Sequence, residues 1–283
     1  MKNLFKKALF NITEFIIKFL LKFNFGRFII DEATKVILSE TKKISHDGIF
    51  LKFCTPNRIS FYRVQTFSTK EPETLNWIDS FKKNENKVFW DIGANIGLYS
   101  CYAAKKINCE VYAFEPSVFN LELLTRNINL NSLNDRISVI PFPLSDITAF
   151  KKFFITTKTW GGAFSNFGES RNHHGELVSN SFDYNTLGMS IDNTISHLEF
   201  KKPNYIKMDV DGIEHLILKG SLNTLSTVES ILLEVNENNS NQFNDIKQYL
   251  DSAGFRLKEK KQIKVVENSL NVPYFYNQIW IKK

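Results

Sequence analysis

An apolar run enters a glycine-spaced turn in Val88-Phe89-Trp90-Asp91-Ile92-Gly93-Ala94-Asn95-Ile96-Gly97. The run predicts a buried β-strand over residues 87–92, and residues 98–106 have the apolar spacing of a helix. In α/β sheets, ligands bind beyond the carboxyl ends of the strands, which is where this turn lies. We expect Gly93 to let a ligand approach the backbone, and Gly97 to let the following helix pack closely.

The spacing of this turn indicates the kind of ligand. A dinucleotide-binding turn has a middle glycine that makes room for a pyrophosphate, whereas this chain has Asn95 there. Asp91 adds a negative charge that repels a diphosphate but suits the ammonium and sulfonium groups of S-adenosylmethionine. Glu115 ends the next predicted strand, and its carboxylate can accept two hydrogen bonds from a ribose diol. The pattern therefore favours S-adenosylmethionine over NAD.

Strands and helices alternate after residue 87, which predicts an α/β fold with a parallel sheet covered on both faces. Before it, residues 59–64 are predicted as a strand, and a helix is predicted after Pro72. Residues 141–204 contain a long irregular stretch. The further predicted strands are 110–114, 137–140, 205–210 and 230–235, with closing strands after residue 254, and the further helices are 118–129, 214–219 and one that ends near Gly254.

The 283 residues suit one large domain with an extension, and we place the extension at 1–43 and the domain at 44–283. Apolar residues make up 43% of the chain, which excludes disorder. The whole chain has a net charge of +6. Residues 1–30 carry six basic residues and one acidic residue, so most of this charge lies there. The nearly neutral remainder lacks the basic footprint of a nucleic-acid-binding protein. Three cysteines without metal-ligand spacing favour a reducing, cytoplasmic location.

The first 25 residues predict an amphipathic helix, because apolar residues from Phe5 to Phe23 recur at steps of three and four. Lys7, Lys18 and Lys22 belong to the opposite polar stripe. These charges disfavour a transmembrane segment and a signal peptide. Two alternatives remain open: peripheral association with the inner face of a membrane, or packing on the chain's own domain or a partner subunit.

Over residues 70–255 the chain resembles the FkbM family of S-adenosylmethionine-dependent methyltransferases, which have the Rossmann-like class I methyltransferase fold. The resemblance implies a mostly parallel, seven-stranded sheet with helices on both faces. One departure is Asp211, where the family usually has glutamate. The matching motifs are Glu71-Pro72-Glu73-Thr74, Asp91-Ile92-Gly93-Ala94-Asn95-Ile96-Gly97, Val111-Tyr112-Ala113-Phe114-Glu115, Asn127-Ile128-Asn129-Leu130-Asn131, Leu144-Ser145-Asp146, Ser190-Ile191-Asp192 and Ile206-Lys207-Met208-Asp209-Val210-Asp211-Gly212-Ile213-Glu214.

The resemblance implies roles in holding the cofactor. Glu115 would hold the ribose of S-adenosyl-L-methionine, and Asp146 the adenine amino group, with Ser145 as a competitor for that contact. The methionine part would be held by Asp91, Gly93, Ala94, Asn95 and Gly97.

Asp209, at the end of the fourth strand, is the first candidate for catalysis, with Asp211 and His215 beside it. Glu214 and Glu234 are candidates for substrate contacts. A divalent metal held by Asp209, Glu234 and Asn236 is an alternative that we favour less. Asp192 fits a structural or a catalytic role equally well.

Residues 160–166, His173 and His174 belong to one long irregular loop. Because such long loops in compact domains are often functional, we predict that this loop is a lid over the substrate.

The expected function is O-methylation of a hydroxyl on a sugar, glycan or natural product. Alternatives are N-methylation of a small amine, a catalytically silent membrane adaptor with the same fold, and a nucleotide-binding oxidoreductase. The oligomeric state stays open.

Overall fold

A computed structural model describes residues 2–83, 86–168, 182–263 and 274–283. The helices are α1 (Lys2–Leu20), α2 (Asn24–Ser39), α3 (Arg58–Gln65), α4 (Phe67–Lys70), α5 (Pro72–Asp79), α6 (Leu98–Ile107), α7 (Val118–Leu130), α8 (Ile191–Leu198), α9 (Glu214–Lys219) and α10 (Ser240–Ser252). The strands are β1 (Thr41–His46), β2 (Ile49–Cys54), β3 (Val88–Ile92), β4 (Glu110–Phe114), β5 (Ile137–Ile140), β6 (Ala149–Ile155), β7 (Ser165–Phe167), β8 (Phe182–Gly188), β9 (Tyr205–Met208), β10 (Ser230–Asn236), β11 (Phe255–Gln262) and β12 (Phe275–Lys282).

The central sheet has seven strands in the order β11-β12-β10-β9-β3-β4-β5. Neighbouring strands from β10 to β5 run parallel, and β12 is antiparallel to both β10 and β11. This topology confirms the predicted class I methyltransferase fold. The chain moves outward from β3 to β5 and then returns to β9 on the other side of β3, so the sheet has a switch point between β3 and β9.

Alternate residues of the strands face two apolar cores, because successive side chains of a strand point to opposite faces of a sheet. On one face, Phe89 packs in the core built by α5, α6 and α7. On the other, Trp90 packs in the core built by α8, α9 and α10. The sheet is therefore covered on both faces, as predicted.

Most predicted elements in the alternating region are confirmed, but residues 59–64 form helix α3 instead of a strand. Asn57 explains the difference, because its side chain accepts a hydrogen bond from the Ser60 backbone N–H in a capping box that starts the helix. The irregular region also contains a small antiparallel sheet in the order β7-β6-β8, which the sequence analysis missed.

The N-terminal region forms two helices, α1 and α2, rather than one amphipathic helix over the first 25 residues. The boundary that we placed between residues 43 and 44 falls inside β1, which pairs with β2 in a separate two-stranded sheet. Across the described ranges, the structure contains no helix that is both long and apolar enough to cross a membrane.

Candidate active site

A cleft of about 620 Å³ opens at the carboxyl ends of β3, β4, β9 and β10. This position is the one that the switch point of the sheet predicts for a ligand. The lining contains charged side chains beside a broad apolar surface. The charged members are Arg63, Lys70, Glu115, Asp209, Asp211 and Glu234, and the apolar members include Phe114, Phe142, Leu144, Phe153, Phe164, Phe167 and Phe275.

The turn after β3 depends on its glycines. Gly93 has a φ of +82°, and a Cβ placed on it would lie 2.0 Å from the carbonyl oxygen of Asp209. The glycine thus allows the turn after β3 to meet the end of β9, in addition to lining the cleft. Gly97 also has a positive φ, and a Cβ there would lie 2.5 Å from Leu124 Cδ1 on α7. Close packing of helices explains this second glycine, as we expected.

Ala94 and Asn95 complete the turn. The backbone N–H of Ala94 donates to the Phe114 carbonyl at 2.9 Å, and the Ala94 side chain is buried. Asn95 lines the cleft with a φ of +52° and donates from Nδ2 to the Gly162 carbonyl at 2.7 Å. Asn95 therefore joins the turn to the loop that we predicted as a lid.

Glu115 follows β4 and lies at the cleft wall. Its Oε2 accepts from the Asn95 backbone N–H and its Oε1 from the Ser117 backbone N–H, each at 2.8 Å. Burial raises the pKa of Glu115 to about 7, although these hydrogen bonds oppose the rise. The carboxylate is held in place and retains lone pairs for further donors.

Asp91 lies beneath the turn and is not among the residues that line the cleft. The side chain is 1% exposed, and its Oδ2 accepts from Ser100 Oγ at 2.5 Å. Lys207 lies opposite Asp91 in the register of the parallel strands β3 and β9. The Nζ of this buried lysine is 4.0 Å from Asp91 Oδ1. Burial raises the pKa of Asp91, while Lys207 opposes that rise. The position fits support of the turn rather than direct contact with a ligand.

Lys207 also organises Asp209, which lines the cleft immediately after β9. The Lys207 Nζ lies 3.2 Å from Asp209 Oδ2. Burial alone would raise the pKa of Asp209, but Lys207 and Lys70 together lower it below its ordinary value. Burial would lower the pKa of Lys207, yet Asp209 and Asp91 raise it, so the lysine stays charged. Asp209 thus presents a carboxylate to the cleft at neutral pH.

Asp211 and Glu234 bring two further acids to the cleft. Asp211 Oδ2 accepts from the backbone N–H groups of Phe164 and Ser165 at 2.7 and 3.2 Å. Burial and the charge of Asp209 raise the pKa of Asp211 to about 6. Burial, followed by the charges of Asp209 and Asp211, raises the pKa of Glu234 well above its ordinary value. The three acids therefore differ in protonation although they share one cleft.

Three other candidates lie outside the cleft lining. Glu214 is buried, and its Oε1 accepts from the backbone N–H groups of Val210 and Gly212, so it stabilises the turn between β9 and α9. Burial raises the pKa of Glu214 to about 7. His215 lies on α9, and Asn236 ends β10.

Ser145 and Asp146 also lie outside the lining, although their neighbour Leu144 is part of it. Asp146 forms an ion pair with Lys219 at 3.0 Å, and Ser145 is buried and donates to Asp146 at 3.3 Å. Asp192 accepts hydrogen bonds from the backbone N–H groups of Asn223 and Thr224 and from the Thr224 hydroxyl. These contacts give Asp192 a structural role.

Of the metal alternative, Asp209 and Glu234 line the cleft but Asn236 does not. Within the described ranges, no group of three or more histidine, cysteine, aspartate or glutamate side chains is arranged to hold a metal ion. His173 and His174 lie outside the described residues.

Two side chains that no sequence pattern pointed to hold the loop of residues 160–165. Asn120 exchanges hydrogen bonds with the backbone of Gly161 and Gly162. Arg63 Nε donates to the Gly161 carbonyl at 2.7 Å. Neither residue carries a pattern that points to this contact, since the partners lie far apart along the chain. Lys207, in contrast, could have been identified from the sequence as a residue of the site, because a lysine is unusual within an apolar strand such as β9.

Two curated proteins resemble part of the chain. Hexuronic acid methyltransferase AglP of Haloferax volcanii is 30% identical over 152 residues, which is 53% of this chain and 56% of AglP. Methyltransferase sdnD of Sordaria araneosa is 32% identical over 94 residues, which is 31% of this chain and 36% of sdnD. The matches thus span only about half, or less, of each relative's length.

Among solved structures, TYW2 of M. jannaschii in complex with AdoMet is 18% identical, with a TM-score of 0.43, over 86% of this chain and 87% of that one. A TM-score this low carries over no residue role, and the fold assignment rests on the sheet topology described above. The family model for the methyltransferase FkbM domain matches residues 91–257, which include the last two residues of β3, the glycine turn, Glu115 and the acids after β9. The chain therefore belongs to the FkbM methyltransferase domain family.

Proposed function

We propose that this chain transfers a methyl group from S-adenosyl-L-methionine to a hydroxyl of a sugar acid or a related glycan. The observation that carries the proposal is the position of Glu115, held beside Asn95 at the wall of a cleft that also contains Asp209. Family membership supports methyl transfer, and the donor and the acceptor are the parts that we propose.

The cleft has a suitable place for the donor. The Glu115 carboxylate is fixed by two backbone N–H groups and can accept two hydroxyl hydrogen bonds from a ribose. Phe142, Leu144 and Phe153 provide an apolar surface for a flat adenine ring. When bound, S-adenosylmethionine supplies a methyl group that its positively charged sulfur activates for displacement.

The acids after β9 and in β10 support the acceptor half of the reaction. A sugar hydroxyl must be oriented toward the methyl group and must lose its proton. Asp209 stays ionised and would orient the hydroxyl by accepting its hydrogen bond. Asp211, with a pKa of about 6, is the better proton acceptor near neutral pH.

Arg63 and Lys70 favour an acceptor that carries a carboxylate. Both side chains line the cleft, and Lys70 Nζ lies 2.6 Å from Glu71 Oε1. Arg63 donates from Nε to the Gly161 carbonyl. A guanidinium has five N–H donors, so the two terminal nitrogens of Arg63 can still bind a carboxylate. This chemistry is consistent with a hexuronic acid, the substrate class in the name of the relative from Haloferax volcanii.

Calorimetry tests the donor. We expect wild type to bind S-adenosylmethionine and S-adenosylhomocysteine, and Asp135→Asn, a change at an exposed turn before β5, to bind them equally well. Folded protein that binds neither compound would refute the proposed activity.

Turnover tests the acceptor. Release of S-adenosylhomocysteine is measured with glucuronic acid and with glucose, in wild type, Arg63→Gln and the exposed control Arg256→Gln. We expect wild type and the control to prefer the acid, and Arg63→Gln to lose most of that preference. Equal rates on both sugars in wild type would contradict the sugar-acid assignment while leaving methyl transfer intact.

A further inference from the structure

The N-terminal helices α1 and α2 expose an unusual amount of apolar surface. Among the described residues, 15 of the 28 exposed large apolar side chains lie between residues 4 and 37. Phe15 is 72% exposed and Phe25 is 74% exposed, although phenylalanine is normally a core residue. An apolar patch of this extent marks a surface that something else covers.

The apolar and charged residues of α1 lie on different sides of the helix. Phe5, Ile12 and Phe19 repeat every seven residues and are all at least half exposed. Lys7 and Lys18 are eleven residues apart, which is about three helical turns, so they share one stripe. The single acid of α1, Glu14, is paired with Lys18 at 2.5 Å. The stripe that contains Lys7 and Lys18 is therefore cationic, and Phe5, Ile12 and Phe19 lie on a different side of the helix.

The two helices meet at a tight elbow. Gly26 is the buried residue of α2, and a Cβ placed on it would lie 2.0 Å from the carbonyl oxygen of Leu20. Exposed phenylalanines occur on both sides of this elbow, at Phe19, Phe23 and Phe25. Phe19 and Phe23 are in contact at the elbow, with 5.4 Å between their ring centroids, so apolar side chains of the two helical segments meet there.

Charge decides which partner suits this surface. Residues 1–39, which include both helices, carry seven basic and three acidic residues, a net charge of +4 out of the +6 of the whole chain. A seam between two protein helices uses a narrower apolar stripe, whereas phenylalanine and leucine opposite lysines are typical of helices that lie in a bilayer interface. Lysines at the edge of the apolar sector reach anionic headgroups while their alkyl stems stay in the apolar layer.

We infer that α1 and α2 dock this chain onto a lipid bilayer that carries anionic headgroups, with their phenylalanines in the acyl boundary and with Lys7, Lys18 and Lys22 among the headgroups. The inference does not depend on the donor or acceptor of the methyltransferase reaction.

The test is co-sedimentation of the full chain with vesicles of phosphatidylcholine alone and of phosphatidylcholine with phosphatidylserine. We expect pelleting with the anionic vesicles that weakens as salt is added. The triple variant Lys7→Gln, Lys18→Gln and Lys22→Gln should bind roughly 100-fold more weakly, since each lysine contributes roughly fivefold near an anionic surface. A matched triple of exposed lysines, Lys83→Gln, Lys202→Gln and Lys258→Gln, should bind like wild type.

A second set of variants tests whether the exposed phenylalanines contribute to membrane binding. Phe15→Asp with Phe19→Asp should abolish pelleting, whereas Phe150→Asp, at an equally exposed phenylalanine of β6, should not. Circular dichroism and urea unfolding check that the domain remains folded. Equal pelleting of Phe15→Asp/Phe19→Asp and wild type would overturn the inference, as would equal binding to both vesicle types. A wild-type dimer that ignores vesicles and becomes monomeric in that variant would assign the surface to a second copy instead.

Discussion

The two sides of the cleft use carboxylates in different ways. On the β3–β4 side, Asp91 is buried, and the Glu115 carboxylate is held by two backbone N–H groups. On the β9–β10 side, Asp209 and Glu234 line the cleft, and their pKa values move in opposite directions. A carboxylate at a strand end thus becomes structural or available for chemistry according to the groups that neighbouring strands place beside it.

Lys207 joins the two sides, so its removal should have the largest effect. Lys207→Met leaves the buried Asp91 without its cation and removes one of the two lysines beside Asp209, and breaking a buried charge pair costs about 3–5 kcal/mol of unfolding free energy. Urea unfolding measures the loss. Adding Asp91→Asn to this variant should recover part of it, because one buried charge is then removed. Unchanged stability in Lys207→Met would mean that the two sides are not coupled through this lysine.

The contact between the glycine turn and β9 gives the second test. Gly93→Ala combines the cost of a left-handed backbone, about 1–2 kcal/mol, with the cost of overpacking against the Asp209 carbonyl, about 1–3 kcal/mol. Gly254→Ala is the matched control, because Gly254 has a similar φ of +79° and nothing lies within 4 Å of its added Cβ. Urea unfolding should show a larger loss at Gly93. Equal losses would show that the turn and β9 can separate freely.

The pH profile separates the acids of the β9–β10 side. We expect kcat to rise with pH through about 6, because Asp211 must lose its proton before it can accept one from the acceptor. Asp211→Asn should lower kcat about 100-fold or more and remove this rise. The negative charge of Asp209 raises the pKa of Asp211. In the variant Asp209→Asn, which keeps Asp211, the rise of kcat should therefore occur at lower pH. A rise that survives in Asp211→Asn would assign the proton transfer elsewhere.

The smallest effect is expected on the β3–β4 side. Glu115→Gln keeps the shape of the side chain but has one acceptor oxygen in place of two and no charge, which should weaken S-adenosylhomocysteine binding at least about tenfold. Affinity in wild type should also fall as the pH drops below about 7, where Glu115 gains a proton. Calorimetry over this pH range measures both effects. A variant that binds as tightly as wild type would show that the ribose contact lies elsewhere.

Local patterns predicted the regular part of the fold well. The strand over 110–114 and the helix over 214–219 have the predicted limits. Apolar periodicity is strong there because both elements pack on the cores. The prediction failed at residues 59–64, where the Asn57 capping box outweighed an apolar pattern that fits either structure. It also missed β6 and β8, whose pairing joins segments that are distant along the chain.

Sequence alone determined the alternation of strands and helices in the parallel sheet, the glycine turn and the presence of acids after β4 and β9, because these follow from patterns within a few residues. Only the tertiary structure decided which acids face the cleft. Asp91 and Asp209 each lie at the end of a parallel strand, yet Asp91 packs under the turn with Ser100 and Lys207 while Asp209 reaches the cleft. Their difference depends on neighbours brought together across the sheet, and a local pattern contains no information about those neighbours.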